Sequence, residues 1–189
     1  MENNEIRISR FDDIRDKDVY QLRKVLYENK RVFARLYDAD GMDGITDRLD
    51  NLSEEVNCEI YNRYEQFEKL LGKYWEVYMI DSEGKEELMM YIYPYMINKV
   101  NDQMFTLVTW ADRCYGNKGG ISEESFDILS SHIFGKCDLL FKPSTKEKLM
   151  EEAKKRCEEN LEYRLAREKD KQEHPEKYSY YSSGDVLHA

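Results

Sequence analysis

The residues whose type and spacing come closest to a chemical site are four aspartates within ten positions of one another. Their carboxylates could gather around Ca²⁺ or Mg²⁺, but an EF-hand loop requires acids at its first, third and fifth positions and a glutamate at its twelfth. Counted from Asp38, the fifth position is Met42 and the twelfth is Leu49. Acids beside a helix N-terminus are also favoured by the helix dipole. The cluster is interpreted as an acidic turn: Asp38, Asp40, Asp43 and Asp47.

Cysteine and histidine offer a second possible site, either for zinc or for a nucleophile. His132 and Cys137 are five residues apart, wider than the close ligand pairs of structural zinc, and no CxxC pair exists. A catalytic cysteine needs a neighbouring base, and two of the three histidines, His174 and His188, fall in a predicted tail. The pattern therefore predicts a protein without metal, cofactor or catalytic residues. Its four cysteines are interpreted as reduced thiols: Cys58, Cys114, Cys137 and Cys157.

A third candidate is the glycine-rich stretch Gly116–Gly120, which precedes a predicted helix. Glycine loops before helices can hold phosphate. This one lacks the GxxxxGK[ST] spacing, and Glu123 and Glu124 would repel an anion at that helix start. It is interpreted as a plain loop.

Charge is the most distinctive property of the chain. Residues 38–90 carry fifteen Asp and Glu against five Lys and Arg, so this segment alone is −10, equal to the net charge of the whole protein. Residues 1–37 carry seven acids and nine bases and are +2. Such segregation determines which partners approach, and it argues against direct nucleic-acid binding. No apolar run approaches the length of a membrane span.

These candidates have to be positioned by secondary structure, which the apolar periodicity predicts. Residues 5–9 alternate and predict a short edge strand. A basic helix is predicted from about Asp16, and a second helix from an N-cap at Thr46 to Gly72. Residues 74–80 and 86–93 predict a β-hairpin.

Three further helices are predicted in the second half. The most buried one follows Pro94 over residues 95–114, with Ile97, Val100, Met104, Leu107 and Ala111 in the core. A short helix is capped by Ser122 and ends at Gly135, and a long one opens at a Ser144–Glu147 capping box and runs to about Gln172.

The predicted fold is therefore mainly α, of the α+β type, with about five helices, one β-hairpin, a long C-terminal helix and an extended tail. The predicted division is a helical domain with the hairpin over 1–143, the long helix over 144–172 and the tail over 173–189.

The functional hypothesis is a non-enzymatic subunit that assembles through protein–protein contacts, with other subunits or copies of itself as partners and without membrane or direct nucleic-acid contact. A ring-forming part of a virus particle, such as a phage capsid-to-tail connector, fits the opposed charges; the location would be the cytoplasm or a virion. The alternative is an acidic inhibitor from a phage or mobile element that imitates nucleic acid and blocks a host nuclease. The predicted partner-binding residues are Arg23, Lys24, Arg31, Asp47, Asp50, Glu54, Glu65, Glu68, Tyr178, Tyr180 and Tyr181.

Overall fold

The centre of the molecule is a curled sheet of six antiparallel strands. A computed structural model describes residues 4–28, 43–101, 104–113, 120–132 and 134–178. The spatial order of the strands is β1-β6-β2-β3-β4-β5, so β1 and β5 form the two edges. The strands are β1 (Ile6–Ile8), β2 (Trp75–Ile80), β3 (Glu86–Asn101), β4 (Met104–Ala111), β5 (Ser122–Asp127) and β6 (Asp138–Pro143).

Three α-helices surround this sheet within the described ranges: α1 (Asp18–Glu28), α2 (Asp43–Glu68) and α3 (Lys146–Glu173). Two 3-10 turns cover Ile14–Asp16 and Pro175–Lys177. The edge strand near the N-terminus, the long second helix, the β2–β3 hairpin and the 28-residue C-terminal helix confirm those predictions. The second helix begins earlier than expected, however, so that its predicted N-cap Thr46 lies inside it. The mainly α fold with five helices is wrong, because two of the five predicted helices contain strands instead.

The largest correction concerns residues 95–114, which form the second half of β3 and all of β4. Pro94 does not end β3; it lies opposite Thr109 beside a bulge, where the missing N–H is tolerated. The apolar spacing matched a helix because β4 buries residues on both faces, including Leu107 and Val108. Leu107 and Ala111 are buried as predicted, but the exposed fractions of Val100 and Met104 are 53% and 37%.

Three smaller corrections concern an edge strand, an unpredicted strand and a helix cap. Residues 122–127, predicted as helix, pair with β4 as an edge strand. Strand β6 was not predicted, although it lies between β1 and β2 and holds the N-terminal segment in the sheet. The N-cap of α3 is Thr145 rather than Ser144: its side chain accepts a hydrogen bond from the Lys148 amide at 3.3 Å.

The main core lies on one face of the sheet, which we call the inner face. Strand register puts Trp75, Val77 and Ile92 on this face with Phe141 of β6. Helix α2 covers it with Val56 and Phe67, and Phe67 packs against Phe134 with ring centroids 5.8 Å apart. Burial of this apolar surface is the main source of stability.

A buried arginine fixes α2 to the N-terminal segment. Arg63 is 4% exposed, and its guanidinium lies 3.9 Å from the centre of the Phe11 ring. It donates hydrogen bonds to the carbonyls of Leu129 and Asp12 at 2.9 and 2.7 Å and pairs with Glu59. These hydrogen bonds and the ion pair offset part of the cost of burying the charge, and they connect α2 to the backbone at Asp12 and Leu129.

Candidate functional site

The opposite, outer face of the sheet carries α3, and their junction is the candidate functional site. Only Leu149 and Ala153 of this helix are buried. Both residues belong to the first two turns of α3, and this helix lies against β3. Two residues of that size bury little apolar area, so charged side chains contribute most of the remaining contact.

The first charged cluster surrounds Glu76 of β2, which is 8% exposed. Its carboxylate accepts hydrogen bonds from Lys148 Nζ at 2.7 Å, Tyr78 Oη at 2.8 Å and Ser144 Oγ at 3.4 Å. Burial raises the pKa of Glu76, but the hydrogen bonds from Lys148 and Tyr78 outweigh it and the net pKa is lowered. Burial and the bond to Glu76 raise the pKa of Tyr78 to about 12.

The second cluster surrounds Asp112, which follows β4 and is completely buried. Its Oδ1 accepts a hydrogen bond from the Tyr91 amide at 3.0 Å. Its Oδ2 lies 2.9 Å from Arg156 Nε, a charge contact, yet accepts no hydrogen bond from the described residues. Arg156 also donates to the Met89 carbonyl at 3.0 Å. Burial raises the pKa of Asp112, against the lowering effects of the Tyr91 amide and Arg156.

Together these clusters make an electrostatic attachment for a helix. Near neutral pH Glu76 and Lys148 are both ionised, since the pKa of Glu76 is lowered and the hydrogen bond to Glu76 raises the pKa of Lys148. Asp112 is enclosed, with its Oδ2 beside the guanidinium of Arg156. The geometry is suited to positioning α3 on the sheet.

The distal half of α3 differs completely from its base. All side chains from residue 158 to residue 169 are exposed. They include three large apolar ones: Leu161, Tyr163 and Leu165 are 54%, 67% and 57% exposed. At the far end Tyr178 folds back, and its hydroxyl donates to Asp170 Oδ2 at 2.6 Å.

The structure describes the side chains of five of the eleven predicted partner-binding residues. Lys24 is exposed on α1, Glu54 and Glu68 are exposed on α2, and Glu65 is half-buried there. Tyr178 is half-buried against α3. The structure gives the helix but not the side chain for Arg23, Asp47 and Asp50, and the remaining three lie outside the described residues: Arg31, Tyr180 and Tyr181.

The candidate metal and phosphate residues are described only in part. Within the part of the chain that is described, no group of three or more His, Cys, Asp or Glu could hold a metal ion. Cys58 is exposed, and burial raises the pKa of the half-buried Cys137. The sulfur of Cys157 accepts a hydrogen bond from the Gly120 amide at 2.9 Å. Cys114, residues 116–119, Asp38 and Asp40 lie outside the described residues.

Neither the helices nor a comparison with known proteins points to a further site. No helix in the described ranges has both the length and the apolarity to cross a membrane. Searches against family models, curated proteins and solved structures find no match to this chain.

Sequence reasoning missed the junction residues because their partners are far apart in the chain. Asp112 and Arg156 are 44 positions apart and Glu76 and Lys148 are 72 apart. One local signal was present: Asp112 directly follows the apolar run of β4, where a charge is rarely buried without a partner.

Proposed function

We propose that this protein is a non-enzymatic assembly subunit that binds protein partners through the distal half of α3. The proposal is supported by one observation above all: Leu161 and Leu165 lie one helical turn apart and are each more than half exposed. Solitary exposed leucines are common, but neighbouring ones on a projecting helix are typical of an interaction surface.

The direction in which these leucines point supports the same proposal. Nine residues are two and a half turns of an α-helix, so side chains nine positions apart point to opposite sides. Leu165 is nine residues after Arg156, whose guanidinium faces the sheet, and Leu161 is nine residues after Glu152. We call Met150, Leu161 and Leu165 the outer stripe, because Met150 lies about three turns before Leu161 on the same side.

The chain's own sheet cannot cover the outer stripe. Helix α3 runs from Lys146 to Glu173 without a glycine or proline at which it could bend. Its base is held with the opposite side against the sheet by Lys148 and Arg156. The 17 residues beyond Arg156 extend about 26 Å, a length that suits contact with another molecule.

Sedimentation velocity of the purified protein over a wide concentration range tests this function. We expect a reversible association that Leu161→Glu with Leu165→Glu abolishes, because a carboxylate placed in an apolar contact is costly to desolvate. The matched control is Tyr163→Glu, which changes an equally exposed residue on another side of the same helix. A protein that is monomeric at every concentration, alone and with candidate partners, would contradict the proposal.

A second candidate, the acidic inhibitor that imitates nucleic acid, has its own support. Glu54 and Glu68 remain exposed on α2. Glu59 between them is paired with Lys17 and Arg63, which interrupts the acidic surface. This function predicts a protein that stays monomeric at every concentration and inhibits a basic nuclease in competition with DNA. The double substitution Glu54→Lys with Glu68→Lys should then remove the inhibition while leaving folding intact.

A further inference from the structure

Aromatic side chains form a row across the sheet beside the base of α3. Strand register places Tyr93 opposite Trp110, and Trp110 opposite Glu123. The Tyr74 ring extends the row on the other side, with its centroid 4.5 Å from that of Tyr93. Three rings on neighbouring strands therefore lead to a carboxylate on the edge strand β5.

Alternation along β4 places this row on the outer face of the sheet. Leu107 and Ala111 belong to the core, so the side chain of Trp110 points away from the core. Asp112, two positions further, lies on the same face and contacts Arg156 of α3. The aromatic row is therefore the next row along the strands after the one that α3 covers.

The β5 end of the row is open to solvent. Trp110 and Tyr95 are 40% and 37% exposed, and Glu123 is exposed as well. The Tyr95 ring stacks on the indole of Trp110 with centroids 6.1 Å apart, and its hydroxyl donates to Glu123 at 2.6 Å. Val108, in the following row of β4, is only 6% exposed. The opening around Trp110 therefore suits a single side chain better than a helix. We call Tyr95, Trp110 and Glu123 the aromatic–acid site.

Glu123 gives this site a negative charge that no described residue neutralises. It forms no ion pair with a Lys or Arg in the described ranges. Nearby bases have other contacts: Arg156 pairs with Asp112, while Lys99 and Arg113 lie over the rings of Phe105 and Phe126, which pack in the core. Lys73 adjoins the far end of the row, three strand spacings or about 14 Å from Glu123, which exceeds the screening length at physiological salt.

An exposed indole beside a carboxylate is suited to a cationic side chain. The face of an indole attracts ammonium and guanidinium groups through its quadrupole. A guanidinium is planar, so it can stack on Trp110 while its N–H groups donate to Glu123. The hydrogen bond to Glu123 raises the pKa of Tyr95, so this phenol stays a donor near neutral pH. A phosphate group would be repelled by Glu123, which disfavours a nucleic acid here.

We propose that the aromatic–acid site binds an arginine side chain from a basic segment of a partner protein, with the guanidinium stacked on Trp110 and paired with Glu123. The net charge of −10 favours the approach of such a segment. Trp and Tyr are also the residue types that contribute most to binding at protein interfaces. The site is separate from the distal half of α3, so this inference goes beyond the function proposed above.

The tryptophans make binding at this site directly observable. The chain has two of them, and Trp75 is 2% exposed with its indole N–H donated to the Leu70 carbonyl. The probe is a short acetylated peptide of alternating glycine and arginine, titrated into the full-length protein. We expect a saturable shift of the Trp110 indole resonance in heteronuclear NMR spectra, weaker as salt rises. The Trp75 resonance should stay in place.

A matched peptide and matched variants test the chemistry of the contact. Citrulline in place of arginine keeps the shape but removes the charge, and it should weaken binding about tenfold, through loss of both the ring contact and the ion pair. Glu123→Gln should weaken binding of the arginine peptide about three- to fivefold. Glu87→Gln removes the same charge from an exposed residue of β3 and should have an effect below about 1.5-fold. Near-ultraviolet circular dichroism checks that both variants are folded.

The remaining outcomes would overturn the proposal. If the citrulline peptide or a neutral oligosaccharide shifts the Trp110 resonance as strongly as the arginine peptide, the row binds a neutral ligand. If Glu123→Gln and Glu87→Gln weaken binding equally, the peptide responds only to the overall charge. An unmoved Trp110 resonance would also exclude the site. Leu161→Ala with Leu165→Ala should leave peptide binding unchanged, so failure of this site and failure of the assembly function can be distinguished.

Discussion

The two long helices lie on opposite faces of one sheet, and a buried charge lies at the junction of each helix with the rest of the fold, but the two charges differ in their hydrogen bonds. Arg63 of α2 donates to two carbonyls and pairs with Glu59. Asp112 under α3 keeps one oxygen that accepts no hydrogen bond from the described residues. Buried polar groups stabilise a fold only when they are fully satisfied.

Helix α2 also makes the larger apolar contact with the sheet. Helix α2 contributes Val56 and Phe67 to the core, whereas α3 buries only Leu149 and Ala153. Helix α2 is thus part of the core, while α3 is attached by its base and its distal half is exposed. This difference can be measured, because the two helices should respond very differently to matched substitutions.

The largest difference is expected between apolar residues of the two helices. Phe67→Ala should lower the free energy of unfolding by about 3–5 kcal/mol, because it empties a fully buried site against Phe134. Leu161→Ala should lower it by less than about 0.5 kcal/mol, since Leu161 is mostly exposed. Urea unfolding measures both. Equal losses would show that α3 is as much a part of the core as α2.

The next largest effect concerns the satisfied charge. Arg63→Met should cost about 2–4 kcal/mol in urea unfolding, because it leaves the carbonyls of Asp12 and Leu129 without a donor. Lys154→Met, on an exposed part of α3, serves as the control and should change little. If Arg63→Met left the free energy of unfolding almost unchanged, water would have replaced the guanidinium and Arg63 would not fix α2.

A smaller effect is expected for Glu76, the better satisfied of the two junction carboxylates. Glu76→Gln should cost about 1–2 kcal/mol at neutral pH, through weaker hydrogen bonds from Lys148 and Tyr78. Since its folded pKa is lowered, this contribution is complete above the unfolded value of 4.5 and disappears as pH falls through the folded pKa. The free energies of unfolding of the unmodified protein and of Glu76→Gln should therefore converge in acid. A difference that stays constant with pH would contradict the stabilising role given to the ionised Glu76.

The smallest effect, and the opposite pH dependence, is expected for Asp112→Asn. The amide oxygen can still accept from the Tyr91 amide, so the loss at neutral pH should stay below about 1 kcal/mol or become a gain. The folded pKa of Asp112 is raised, so its favourable contribution is complete below the unfolded value of 3.8 and is lost as pH rises through the folded pKa. The free energy of unfolding of the variant, relative to that of the unmodified protein, should therefore rise from acid to neutral pH. A large neutral-pH loss would make Asp112 an anchor equivalent to Arg63.

The helices and the hairpin could be predicted because their signals are local. In α2 the described apolar positions recur at the spacing of one helical face, with Val56 and Phe67 buried as expected. The β2–β3 turn is determined by Asp81, whose side chain accepts from the amides of Glu83 and Lys85, and by Gly84 with φ of 82°. The length of α3 followed from its N-terminal cap and Pro175.

Strand β4 could not be predicted from periodicity, because both of its faces are partly covered and the alternation of apolar and polar residues disappears. The β-branched residues of β3 and β4 were an available signal: Ile92, Ile97, Val100, Thr106, Val108 and Thr109. Strand β6 pairs with β2, 58 to 68 positions earlier, so no pattern in the neighbouring sequence predicted it.

By itself the sequence determined which short segments form amphipathic helices and tight turns, and where the charge is concentrated, because caps, turn residues and periodicity act over a few positions. Only the tertiary structure decided that Asp112 meets Arg156 and that Leu149 faces the sheet while Leu161 and Leu165 face away. Those outcomes depend on strand pairing between distant segments, which orients α3 as a whole and which no local preference encodes.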